Sequence, residues 1–143
     1  MNPENNLQLA RVLVQVPRGA PEEASFRSAC GRAYYAAFGI ARDLLLSARL
    51  RISADGSAHS AVIRLLKESA DPDVWAAGVS LELLRQARNS ADYDVGLRSS
   101  VGDLFNRRRA QLAVVSAWAI ISTIRKASAS DPRLGIPSVR VIG

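Results

Sequence analysis

Apolar positions recur along the chain at helical spacing, and polar punctuation cuts that pattern into five segments. Residues 4 to 16 place Leu9, Leu13 and Val16 on one stripe, which predicts a short first helix before the turn Pro17-Arg18-Gly19-Ala20. Pro21-Glu22-Glu23 opens a long second helix, with proline at its first position and carboxylates at the positive end of the dipole. Its expected core stripe, running to about Arg49, is Phe26, Cys30, Ala33, Ala37, Ile40, Ala41 and Leu44. The opposite side repeats Ser28, Arg32, Tyr35, Gly39 and Arg42, so a second neighbour is expected there, and Ser28, Gly31 and Gly39 would let it come close.

The turn around Asp55-Gly56-Ser57 leads into a third helix, His59 to Ala70, with Val62, Leu65, Leu66 and Ser69 inward and Asp55 or Ser57 as cap. Asp71-Pro72-Asp73 stops and restarts the chain, with Asp71 as N-cap and Pro72 at the first helical position. The fourth helix, Val74 to about Asn89, aligns Ala77, Leu81 and Leu84, and the same stripe then arrives at Arg88. An arginine therefore points where leucines point. Desolvating a guanidinium costs several kcal/mol unless it is paired, so Asp92, Tyr93 and Asp94 become its expected partners. Asn89, Ser90 and Asp92 compete for backbone hydrogen bonds and are expected to break the helix.

A fifth helix, Asp103 to Lys126, is apolar nearly all round, which predicts either the centre of the bundle or a dimer interface. From Ser128 onward Pro132, Gly135 and Pro137 break the pattern, and the tail is expected to order only against something that binds it. The expectation is all-α: one domain over residues 1–127, an up-and-down bundle of four to five helices, then an irregular tail over 128–143.

Composition narrows the chemistry. A single cysteine excludes an internal disulfide and a cysteine-based zinc site, which fits a reducing cytoplasm. The run Ala110 to Ile121 falls short of the ~18 to 20 apolar residues of a membrane span. The opening Met-Asn-Pro-Glu-Asn-Asn has no signal-peptide pattern, so a cytoplasmic protein is expected. Net charge is +6, and since Lys67 and Lys126 are the only lysines, 17 of the 19 basic residues are arginine. Guanidinium binds phosphate through a planar fork and stacks on bases, which favours a nucleic acid or acidic partner; a high-GC codon bias would also give arginine for lysine.

No phosphate-cradling glycine loop, metal-type cluster or serine nucleophile elbow occurs, so no cofactor or metal is expected. His59, the only histidine, reads first as a capping or surface residue and second as a site residue. Arg107, Arg108 and Arg109 form a solvated basic edge or a phosphate-contacting patch. Arg88 beside Asn89, Asp92 and Tyr93 is either a structural ion-pair network or an anion-binding centre.

Three stretches in order, Arg27-Ser28-Ala29 leading into Arg32-Ala33-Tyr34-Tyr35-Ala36-Ala37-Phe38, then His59-Ser60-Ala61-Val62-Ile63, then LELLRQARNSADYD over Leu81 to Asp94, resemble the HEPN superfamily. The likeness covers about residues 7 to 126 and is nearest to the small stand-alone members often paired with nucleotidyltransferases. It implies a homodimeric helical bundle, with RNA binding or metal-independent RNA cleavage in toxin-antitoxin or phage-defence systems. Arg88 and Asn89 match the first half of the family's signature, whereas Tyr93 stands where its histidine would be. By this resemblance the catalytic candidates are Arg88, Asn89 and Tyr93, supported by Asp92, His59, Arg32 and Tyr35, with Arg85, Arg107, Arg108 and Arg109 toward nucleic acid. Three functions stay open: cleavage with Tyr93 or His59 handling protons, RNA binding without cleavage, or a module that docks a nucleotidyltransferase or another effector.

Overall fold

The structure is a computed structural model and describes residues 2–15, 22–53, 55–93, 107–130 and 132–137 of the chain. Among them are five helices and no strand: α1 (Pro3–Val14), α2 (Glu22–Ser47), α3 (Ala58–Lys67), α4 (Pro72–Tyr93) and α5 (Arg107–Ser130), followed by a 3-10 turn at Arg133–Gly135. The expected all-α bundle is present.

α2 is the axis of the bundle and touches the four other helices. Its inward side buries Phe26, Cys30, Ala33, Ala37, Ile40 and Ala41 as the sequence stripe requires, leaves Leu44 only partly buried, and also buries Ala29, Tyr34, Ala36, Phe38 and Leu45. A helix so rich in alanine lets its neighbours come close on several sides at once. Gly39 takes this furthest, because a Cβ there would lie 2.6 Å from Pro3 Cγ of α1. The close neighbour expected beside Gly39 is thus the chain's own first helix, while a Cβ on Gly31 would meet nothing within 4 Å.

Local signals set several boundaries. Asn2 caps α1 by accepting from the Glu4 amide at 2.9 Å. Asp71 caps α4, its Oδ1 accepting from Asp73 N at 2.9 Å, with Pro72 as the first helical residue. Ahead of α3, Asp55 accepts from both the amide and the hydroxyl of Ser57, and these bonds hold its carboxyl below the usual range.

Three expectations are corrected. α4 does not break at Asn89 but continues through Tyr93. The local competition of Asn, Ser and Asp amounts to only a few tenths of a kcal/mol per residue, too little to interrupt a helix already held by Val74, Ala77, Leu81 and Leu84. α3 stops at Lys67 instead of Ala70 because the next residues are recruited by the tail. Ser69 Oγ donates to the Leu134 carbonyl at 2.6 Å, and the Ala70 amide donates to the Gly135 carbonyl at 2.9 Å. The segment 132–137 is thus ordered by its own chain: Leu134 and Ile136 are buried, and Arg133 donates to the Ala48 carbonyl at 2.9 Å. Arg133, Leu134 and Gly135 all have positive φ, and at Gly135 a Cβ would also lie 3.0 Å from Ser69 Oγ.

α5 is not the centre of the bundle. Ala110, Ala113, Ala117, Ile120, Ile121 and Ile124 face the core, whereas Leu112, Val115 and Trp118 are exposed. By length and composition α5 is long and apolar enough to cross a membrane, which the shorter apolar run had not suggested.

Candidate functional site

α2 sends Tyr34, Tyr35 and Phe38 toward the first turn of α3, and the ring they meet is His59. Phe38 stacks on the imidazole with centroids 4.1 Å apart and planes 19° from parallel. Tyr34 stacks from one turn further, at 5.6 Å, and Tyr35 approaches edge-on at 6.2 Å. Tyr34 is fully buried, and its hydroxyl lies 2.6 Å from His59 Nδ1.

α4 supplies the charge. The half-buried Arg88 places its guanidinium carbon 4.9 Å from the centre of the Tyr35 ring and 5.9 Å from that of Tyr34. Two stacking contacts to aromatic faces suit a guanidinium, which gives up hydration more readily than an ammonium. One turn earlier, Arg85 donates to Ser60 Oγ of α3 at 3.2 Å, tying α4 to the helix that carries His59. Arg42 of α2 completes the basic surround, and its Nε, like that of Arg85, is buried without a hydrogen bond among the described residues.

The electrostatics follow from this packing. Burial first, then the positive charges of Arg85, Arg88 and Arg42, hold the His59 imidazole below its usual range, so it is neutral at pH 7. Burial pushes the Tyr34 phenol up to about 12, against the opposing pull of Arg85 and Arg88. A neutral donor and acceptor pair therefore sits inside a ring of fixed positive charge. Such an arrangement attracts an anion and offers it several N–H groups.

Of the residues singled out by sequence, Arg88, Arg85, His59 and Tyr35 come together, with half-buried Asn89 following Arg88 on the same helix. Arg32 turns to α1, where it donates to Asn6 Oδ1 at 3.1 Å. Arg107 donates to the Val14 carbonyl at the end of α1 and lies 5.3 Å over the Phe26 ring, so it closes α1 against α5. Arg108 and Arg109 are exposed, and Arg109 borders the groove between α4 and α5 with Leu84, Ala87 and Leu112. The side chains of Asp92 and Tyr93, and the whole of Asp94, lie outside the described residues. Cys30 is buried, and burial pushes its thiol up, as befits a core residue. Among the described residues no group of three metal-ligating side chains assembles.

Tyr34 and Phe38 belong to the cluster but are not among the sequence-based site residues, and Arg42, expected on the side of α2 that meets a second neighbour, joins them. Their spacing of four residues puts them on one edge of α2, which was a signal in plain view. What the sequence lacks is the partner: nothing local says that the first turn of α3 lands on that edge.

No family model, curated protein or solved structure matches the chain.

Proposed function

We propose that this is an RNA-associated domain of HEPN type that holds an RNA phosphate at Arg88 and His59. One observation carries the reading: a histidine from α3 and an arginine from α4 converge on the buried Tyr34 ring, with two more arginines beside them. Position 93 carries tyrosine, and the chain's one histidine, His59 of α3, shares the Tyr34 ring with Arg88. Guanidinium groups take the phosphate oxygens, and the exposed part of Tyr35 offers a surface on which an unstacked base can lie. The positive net charge adds a salt-dependent attraction to the same partner.

The test uses total RNA and labelled single-stranded RNA with EDTA present, comparing wild type with Arg88→Ala and His59→Ala. Binding that both variants weaken supports the reading. Cleavage that survives EDTA and needs both residues would extend it to a metal-independent endoribonuclease, in which the 2'-hydroxyl is the internal nucleophile. RNA affinity unchanged in both variants would remove the site.

A homodimer is proposed on a separate observation. α5 exposes Leu112, Val115 and Trp118, with Leu83 of α4 also exposed, and no charged residue occurs from Ala110 to Ile124. In a chain of net charge +6, this mainly apolar face, with Arg11 over the Trp118 ring, is where two copies can meet with least repulsion. Capture of a nucleotidyltransferase on that face, with the protein monomeric, would instead support the docking-module reading.

A further inference from the structure

We propose that the buried Tyr34 hydroxyl fixes neutral His59 as the tautomer protonated on Nε2, so that the imidazole meets an anion as a hydrogen-bond donor and not as a general base. The inference rests on the reading of this cluster as a phosphate site and specifies what His59 does there.

Tyr34 is fully buried, and its one hydrogen-bond partner among the described residues is His59 Nδ1, at 2.6 Å. A buried hydroxyl proton without an acceptor is costly, so the phenol donates and the Nδ1 lone pair accepts. A neutral imidazole that accepts at Nδ1 carries its proton on Nε2. The reverse polarity would leave the phenol hydrogen with nothing to meet in the core. The charged alternative is disfavoured by burial and by the groups facing the ring: Arg42 and Tyr35 from α2, Arg85 and Arg88 from α4. Phe38 stacks on the ring at 4.1 Å, and the flip that would exchange the two nitrogens would also break the bond to the Tyr34 hydroxyl.

His59 Nε2 has no partner among the described residues, so its N–H is the atom left to meet a ligand. Together with the guanidiniums it makes a set of donors only. At neutral pH such a set holds a phosphodiester and supplies no lone pair to deprotonate the adjacent 2'-hydroxyl. Tyr34 is then a positioning residue, acting through His59.

Because His59 is the only histidine, its two ring nitrogens give isolated signals in a long-range proton–nitrogen spectrum of labelled protein. In wild type above pH 7, Nδ1 is expected at an unprotonated shift and Nε2 at a protonated one, and inorganic phosphate should move the Nε2 signal. Tyr34→Phe keeps the stacked ring but removes the donor; its two nitrogens should drift toward averaged shifts, and RNA affinity should fall about five-fold. A wild-type spectrum with the proton on Nδ1, identical spectra in wild type and Tyr34→Phe, or phosphate that leaves Nε2 unmoved would overturn the inference. Phosphate that moves Nε2 in a protein that binds no RNA would retire the RNA reading and leave the role of Tyr34 standing.

Discussion

Replacing Arg88 by alanine separates a structural arginine from a ligand-binding one. A deeply buried, ion-paired arginine would cost roughly 3 to 5 kcal/mol on removal, because its partner would be left charged and alone. Arg88 is only half-buried, and its contacts include two aromatic faces at 4.9 and 5.9 Å. Each such contact contributes about 0.5 to 1 kcal/mol near the surface. Loss of these two contacts in Arg88→Ala should cost about 1 to 2 kcal/mol and lower Tm by roughly 3 to 8 °C. The effect on RNA should be larger. Losing a charge-assisted hydrogen bond to a phosphate costs about 1.5 to 3 kcal/mol, a roughly ten- to hundred-fold rise in Kd. The assay is fluorescence anisotropy of a labelled single-stranded RNA across a salt series, paired with thermal melts. If one phosphate contact is lost, the slope of log affinity against log salt should shrink by about 0.7. Arg88→Lys, which keeps the charge but loses the planar stack, should lie between the two. A Tm loss far beyond this range, with affinity and salt slope unchanged, would refute the assignment and make Arg88 part of the scaffold.

Further outcomes follow from the same contacts. The His59 imidazole is held below its ordinary range in the fold, so its contribution to stability is present above the unfolded value near ~6.5 and is lost as pH falls through the folded value. Chemical denaturation between pH 7.5 and 5 should show this loss, and His59→Gln should flatten it. At the alkaline end the sign reverses, since the Tyr34 phenol is raised: its contribution holds below about pH 10 and disappears toward about 12, which a Tyr34→Phe comparison would reveal. Val115→Arg on the exposed α5 face should convert a dimer to a monomer in sedimentation with little change in Tm; a monomeric wild type at high concentration would exclude that interface. Leu134→Ala should cost about 2 to 4 kcal/mol in a urea titration, because the buried side chain locks the C-terminal segment onto the turn between α3 and α4.

The helices were legible because they depend on short-range signals. The alanine-rich stripe of α2, the Asp71-Pro72 start and the line Ala77, Leu81 and Leu84 survive into the structure, with Arg88 at the end of that line only half-buried. What the sequence did not disclose depends on which distant residues meet. Tyr34 and His59 are separated by the whole turn between α2 and α3, and only the angle of that turn makes them partners. The early end of α3 is decided by Leu134 and Gly135, far along the chain. Arg107 looked like a candidate phosphate ligand because its use, binding the Val14 carbonyl, is likewise non-local. The spacing of Tyr34, Phe38 and Arg42 on α2 marks a common edge without saying what lies opposite.

Photo-crosslinking of a single-stranded RNA carrying 4-thiouridine, followed by peptide mapping, addresses the central claim directly because it reports where the RNA lies. The account predicts crosslinks on the α2 stretch that holds Tyr35 and on the α3 peptide that holds His59, and their loss in Arg88→Ala. Crosslinks confined to the Arg107 to Arg109 end of α5, unaffected by Arg88→Ala, would contradict it.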